Sequence, residues 1–153
     1  MVPVREVMES SRLTRGMKEE FVVILTDIAE LLRFSKGENV IREDGRDRDL
    51  YLLVDGKVSI NLFVPGTLDR MESIVTLRSG QLFGEFALID AAPRSASVRA
   101  DTDIAVYKFT AEKLIQACEN DYEFGYRLMQ NLAAILASRI RDTTLLVRNN
   151  IVW

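Results

Sequence analysis

Between Gly80 and Ala100 the chain gathers a carboxylate, a guanidinium and a hydroxyl around two glycines and a proline: Gly80-Gln81-Leu82-Phe83-Gly84-Glu85-Phe86-Ala87-Leu88-Ile89-Asp90-Ala91-Ala92-Pro93-Arg94-Ser95-Ala96-Ser97-Val98-Arg99-Ala100. Gly84 lets backbone approach a bound group closely. Glu85-Phe86-Ala87-Leu88 has the composition of one short helical turn. Its first N–H groups would lack intrahelical partners and favour an anion. Arg94 supplies a planar fork that matches phosphate geometry. Ser95 adds a hydroxyl donor, and Glu85 is an acceptor for a sugar hydroxyl. Taken singly, Arg94 reads as a surface salt-bridge partner and Glu85 as a solvated carboxylate or helix cap. Their spacing among the glycines and Pro93 is what favours a ligand.

Such a segment needs a scaffold, and the periodicity of the chain divides into three regions. Residues 1–34 read as an N-terminal helical segment. Phe21, Ile24, Leu25, Ile28, Leu31 and Leu32 recur at steps of three and four, opposite Lys18, Glu19, Asp27 and Glu30. Residues 35–109 read as strands, with the segment 80–100 inserted among them. Asn39-Val40-Ile41, Leu50 to Val54, Lys57 to Phe63, Ile74 to Leu77, Ala96 to Arg99 and Ile104 to Phe109 are short β-rich runs. Asp55-Gly56 between two of them is a hairpin signal. Ala96 to Arg99 and Ile104 to Phe109 read as a last pair across Asp101-Thr102-Asp103. Val58, Ile60 and Leu62 alternate with Lys57, Ser59 and Asn61, which predicts one buried and one wet face. Val64-Pro65-Gly66-Thr67 opens a loop, since proline cannot continue a central strand. Residues 110–153 read as C-terminal helices. One starts near Thr110, and a longer one spans Asp121 to about Val147. The stripes Leu128-Leu132-Ile135 and Met129-Leu132-Leu136-Ile140 are wide enough to meet two surfaces. The mixed-charge run Arg42 to Asp49 reads as a solvated loop or a partner surface, and Trp153 as a frayed end or a docking anchor.

Composition narrows the function classes. The chain has 153 residues, 48% hydrophobic and 28% charged, with a formal charge of -3. One domain with a real core fits that size. The charge balance gives no general attraction for nucleic acid or anionic lipid. There is no histidine. That removes the commonest metal ligand and the commonest general acid–base, and makes a cupin-like metalloenzyme a weak reading. The single cysteine, Cys118, permits no intrachain disulfide and reads as a small packing residue. No apolar stretch is long enough to span a bilayer. The N-terminus lacks the apolar core of a secretory signal, so a cytoplasmic location is expected.

The segment resembles the phosphate-binding cassette of cyclic nucleotide-binding domains, as in regulatory subunits of cyclic-AMP-dependent protein kinase, cyclic-nucleotide-gated channels and catabolite-activator-type regulators. The matching residues are Phe83-Gly84-Glu85-Phe86-Ala87-Leu88 and Pro93-Arg94-Ser95-Ala96, with the glutamate and arginine nine positions apart. Lys36-Gly37-Glu38, Ile41-Arg42-Glu43 and Leu50 to Val58 resemble the family's opening strands, so the likeness covers roughly residues 21–148.

The resemblance implies a mainly β fold: an antiparallel β-roll (jelly roll) of about eight strands, with an N-terminal helix and C-terminal lid or dimer helices. It implies a non-catalytic sensor that binds cyclic AMP or cyclic GMP, with no other cofactor and no metal. Arg94 would pair with the cyclic phosphate and Glu85 with the ribose 2′-hydroxyl. Backbone N–H groups of Gly84, Phe86 and Ala87 would hold ribose and phosphate, and Ser95 would reach the phosphate. Ser95 could serve either purine, and cyclic AMP is preferred. Arg139 reads as a base contact or as a solvated or salt-bridged helix residue. Ligand binding would draw the last helix over the base. The helix 121–147 offers a homodimer seam, and the output would reach a downstream protein partner that the sequence does not identify. The activator-type members carry a helix-turn-helix after the long helix. The chain stops at Trp153, so direct nucleic-acid binding is not expected, nor is a membrane. The alternative is an interaction module of the same fold with a vestigial pocket or a different small ligand.

Overall fold

The run Leu50 to Leu53 is buried at every position, because the strand it forms, β3 (Leu50–Asp55), is covered on both faces. Leu50 and Leu52 join Phe109, Leu114, Phe124 and Leu132 in a cluster under the helices. Tyr51 and Leu53 join Val58, Phe83, Val98 and Val106 inside the roll. A strand without a wet side shows no alternation of apolar and polar residues. The computed structural model describes residues 3–68 and 70–151, with nothing said of the last side chain. Trp153 lies outside the described residues.

The chain opens with α1 (Val4–Ser10), a 3-10 turn at Arg12–Thr14 and α2 (Glu19–Ile28). The strands around β3 are β1 (Glu30–Phe34), β2 (Asn39–Ile41), β4 (Lys57–Phe63), β5 (Met71–Arg78) and β6 (Leu82–Phe83). A short helix α3 (Glu85–Asp90) precedes β7 (Ser97–Ala100) and β8 (Ile104–Phe109), and α4 (Ala111–Asn120) and α5 (Tyr122–Ile151) follow. Two four-stranded sheets result, ordered β1-β8-β3-β6 and β2-β7-β4-β5, with antiparallel pairing throughout. This is the antiparallel β-roll with flanking helices that the resemblance implied.

Several local expectations need correction. The helix expected to run through Leu32 ends at Ile28, and Leu31 and Leu32 lie in β1, opposite Tyr107 and Val106 of β8. Steps of three and four put them on a helical face by coincidence; pairing with β8 decides their conformation. The first strand therefore begins inside the segment 1–34. Both turns read as hairpins are passages between sheets. Asp55-Gly56 joins β3 to β4, and Asp101-Thr102-Asp103 joins β7 to β8, each pair split between the two sheets. The two corners rest on each other. Lys57 N–H donates to Thr102 Oγ1 at 3.0 Å, and Asp101 N–H to the Lys57 carbonyl at 2.9 Å. Gly56 sits at φ 89°, where a Cβ would lie 2.5 Å from the Asp103 carbonyl oxygen. An Asp-Gly pair signals positive φ, but it does not say whether the flanking strands pair or part. In β4 the alternation is broken as well. Ser59 is buried, with its hydroxyl donating to Asp101 Oδ1 at 2.8 Å, and Leu62 is exposed beyond a bulge at Ile60/Asn61.

The helices anchor the lid. Phe124, Leu128, Leu132 and Ile135 form the buried stripe of α5, and Phe21 meets Phe124 edge-on at 5.7 Å. Asn131 is buried and donates through Nδ2 to the carbonyls of Leu13 (2.7 Å) and Arg15 (3.0 Å), which ties α5 to the N-terminal turn. The helix runs one turn beyond the expected Val147, and positions 140–150 are exposed all round. Among the described residues no helix is long and apolar enough to cross a membrane.

Tyr51 provides a stability test of the roll interior. Its ring stacks on Phe83 at 5.2 Å, and burial pushes its phenol up to about 12, helped by the charges of Asp47 and Asp49. A raised folded-state pKa means its contribution is whole below the unfolded value near 10 and is lost as pH climbs through about 12. Wild-type stability is therefore expected to fall steeply across that window. Denaturant midpoints for Tyr51→Phe should lack that part of the fall; identical alkaline profiles would contradict it.

Candidate functional site

β6 delivers the chain to Gly84, which adopts φ 86° and caps α3. A Cβ there would lie 2.7 Å from the Asp49 carbonyl oxygen and 3.0 Å from Arg94 Nη1, so only glycine admits this approach. The turn ends at Ala91, itself left-handed at φ 56°. Pro93 then leads into Arg94, whose backbone is pinned: its N–H donates to the Gly45 carbonyl at 2.8 Å, and its carbonyl accepts from Asp44 N–H at 2.9 Å.

The Arg94 side chain is 4% exposed. Nη1 donates to the Gly84 carbonyl, and Nη2 donates to Asp47 Oδ2 and to the Asp49 carbonyl, each at 2.7 Å. Nε is buried and has no hydrogen-bond partner. A buried charged donor without a partner is costly and rare. Glu85 is 1% exposed, and its carboxylate is held by Arg139 Nη1 of α5, while Arg139 Nη2 donates to the Leu82 carbonyl. Burial, and to a lesser degree the charge of Arg12, pulls the Arg139 pKa below the ordinary guanidinium value. Arg139 thus ties α5 to the Glu85 carboxylate.

Between cassette and lid lies a cavity of about 600 Å³. Gly84, Glu85, Phe86, Ala87, Arg94, Ser95 and Arg139, the residues singled out in the sequence, all line it. From α5, Arg139, Asp142, Thr143 and Leu146 reach it at steps of three, one and three, which is a single helical face. Ile41, Ile60, Val75 and Val98 form the apolar wall on the roll side. The arrangement suits a small, partly apolar anion.

The mixed-charge run is where the sequence reading fell short. Arg42 to Asp49 is the expected loop, with Arg42, Asp44, Arg46 and Asp47 exposed, but its far end also braces the cassette. Asp47 and the Asp49 carbonyl hold Arg94. Arg48 donates through Nε and Nη2 to the carbonyls of Ala87 and Leu88, both at 2.9 Å. Asp49 Oδ1 accepts from Ala111 N–H at 3.0 Å at the start of α4, and its other oxygen lies 3.5 Å from Lys108 Nζ. No local signal marks these roles, because alternating charges look the same on a wet loop. Burial pushes the Cys118 thiol up, in keeping with a packing residue. Among the described residues no three His, Cys, Asp or Glu side chains are grouped to hold a metal ion.

The comparisons with known proteins agree with this geometry. The family model described as "Cyclic nucleotide-binding domain" matches residues 31–121. The cAMP-dependent protein kinase regulatory subunit of Emericella nidulans is 36% identical over 101 residues, which cover 66% of this chain and 23% of that protein. Human cGMP-dependent protein kinase 2 is 32% identical over 102 residues, covering 66% of this chain and 13% of the kinase. The crystal structure of Thermus thermophilus catabolite activator protein superposes with a TM-score of 0.76 at 27% identity, covering 90% of this chain and 62% of that one. The chain therefore spans less than two thirds of each relative.

Proposed function

Since this chain belongs to the cyclic nucleotide-binding domain family, we propose that its cavity takes one purine cyclic monophosphate and that the domain is a non-catalytic sensor. The observation that carries this reading is Arg94: a buried guanidinium on the cavity wall with its Nε donor unpartnered. The cyclic phosphate supplies the acceptor that Nε lacks. Gly84, Phe86 and Ala87 offer backbone N–H groups to ribose and phosphate, Ser95 a hydroxyl, and Glu85 its carboxylate to the ribose 2′-hydroxyl. The base then lies against Ile60 and Val75, beneath α5. Cyclic AMP is preferred to cyclic GMP in this reading, although Ser95 could serve either purine, and relatives named for each nucleotide are similar to this chain. A cytoplasmic location is part of the same reading.

Arg139 lines the cavity and pairs with Glu85. The ribose hydroxyl must share that carboxylate with Arg139, so occupancy and the position of α5 are linked. The shift in helix position is as large as the ligand's differential affinity for the two arrangements. Thermal unfolding with each nucleotide tests the reading. At a hundredfold excess over the dissociation constant, a one-site ligand stabilises by about 2.7 kcal/mol, which raises the melting temperature by several degrees. An unmoved melting temperature at millimolar cyclic AMP and cyclic GMP would overturn it.

The outer face of α5 supports a homodimer. Tyr122, Tyr126, Met129, Ala133, Leu136 and Ile140 follow steps of four and three in turn, with Val147 seven positions on, the repeat of a two-helix seam. Tyr122, Tyr126, Ile140 and Val147 are more than half exposed. A second copy offers the same stripe and so is self-complementary. Sedimentation should give a dimer for the wild type and a monomer for Ile140→Glu; a monomeric wild type would contradict the seam.

A further inference from the structure

A cyclic nucleotide and its ring-opened 5′-monophosphate share base, ribose, 2′-hydroxyl and phosphorus, so a site that recognises those groups must still tell the two apart. Beside a freed 3′-hydroxyl and an unconstrained phosphate, they differ in charge. The cyclic phosphodiester carries one negative charge, and a phosphomonoester carries nearly two at neutral pH. We infer that Asp47 sets the charge the cavity accepts, admitting the singly charged ring phosphate and rejecting the doubly charged phosphate of a nucleoside 5′-monophosphate; this rests on the reading of the cavity as a cyclic-nucleotide site.

Three observations carry it. Asp47 Oδ2 lies 2.7 Å from Arg94 Nη2, so the guanidinium that would receive the phosphate is already paired. Asp47 is absent from the residues that line the cavity, which places it behind Arg94, where it acts on the ligand through charge and not through contact. The other charges on the wall leave no surplus of cation. Arg139 is held by Glu85, while Asp90 and Asp142 add carboxylates. Arg94, with its side chain 4% exposed, is thus the cation left for the phosphate, and Asp47 has offset part of its charge. One negative charge matches what remains, and a second meets no further cation among the described residues of the wall. Without Asp47, Arg94 would be an uncompensated buried charge, and a dianion would be its better counter-ion.

Two titrations test this, one on the protein and one on the ligand. Asp47→Asn keeps an oxygen that accepts from Nη2 and removes the charge. Its preference for the cyclic nucleotide over the 5′-monophosphate should fall by roughly tenfold or more, while Asp47→Glu should keep the wild-type preference. The wild type should bind the methyl ester of the 5′-monophosphate, an open-chain monoanion, about tenfold more tightly than the free 5′-monophosphate; this arm needs no altered chain and stands if Asp47→Asn does not fold. If cyclic nucleotide binds but Asp47→Asn keeps the wild-type preference, or the methyl ester gains nothing, the inference about Asp47 falls and the cyclic-nucleotide site remains. If the wild type binds neither cyclic nucleotide nor the methyl ester, the underlying reading falls and takes this one with it.

Discussion

Arg94→Ala is expected to weaken cyclic nucleotide binding by about two to four orders of magnitude while a cooperative fold persists. The side chain does two jobs. It braces the cassette by donating to the Gly84 and Asp49 carbonyls, and it leaves Nε for an acceptor in the cavity. Truncation strands the phosphate charge in a site with no other free cation on its wall among the described residues, and removing one partner of a buried ion pair costs about 3–5 kcal/mol. The protein itself loses less. Asp47 is 44% exposed at its side chain and can turn to water once its partner is gone. Arg94→Lys should recover little, because a point charge on a flexible stem cannot serve three acceptors and a phosphate at once. Calorimetric titration measures the loss. Affinity within a few fold of wild type would show that Arg94 is only a brace.

Gly84→Ala is expected to injure stability and binding together. A non-glycine residue at φ 86° costs about 1–2 kcal/mol by conformation alone. The added methyl would also stand 2.7 Å from the Asp49 carbonyl, 3.0 Å from Arg94 Nη1 and 3.2 Å from Ile41 Cδ1. The Asp49 carbonyl is the acceptor that aligns Nη2, and Asp49 also caps α4. Displacing it disturbs the guanidinium and the start of α4 in one step. The denaturation midpoint should drop by more than the conformational cost predicts, and ligand affinity should fall with it. A variant with the wild-type midpoint and affinity would contradict the close approach. Loss of stability with full affinity would mean that Gly84 serves the fold and not the site.

How much of this was legible in the sequence depends on whether a feature is local. The cassette was, because Gly84, Glu85, Pro93 and Arg94 fix their geometry within a dozen positions. A positive-φ glycine, a helix start and a proline restrict the backbone wherever they occur. The strands around Lys57 to Phe63 and Ile104 to Phe109 were legible for the same reason. Sheet membership was not. Gly56 and Asp101-Thr102-Asp103 mark sharp turns in either case, and only the contact between the two corners shows that the chain changes sheet there. Leu31 and Leu32 misled because a helical period and a half-buried strand both tolerate two adjacent leucines. Arg42 to Asp49 carried no signal at all. Asp47, Arg48 and Asp49 earn their roles from residues some 40 to 62 positions away. The rotation of α5, which decides whether Arg139 meets the base or Glu85, depends on how Phe124, Leu128 and Asn131 seat against the rest of the protein.

The most direct measurement is a crystal structure of the chain grown with saturating cyclic AMP. It should place one nucleotide between cassette and α5, a phosphate oxygen at hydrogen-bond distance of Arg94 Nε, about 2.7–3.2 Å, and the ribose 2′-hydroxyl against Glu85. Crystals that leave that cavity empty, or that seat the nucleotide with its phosphate turned away from Arg94, would contradict the assignment.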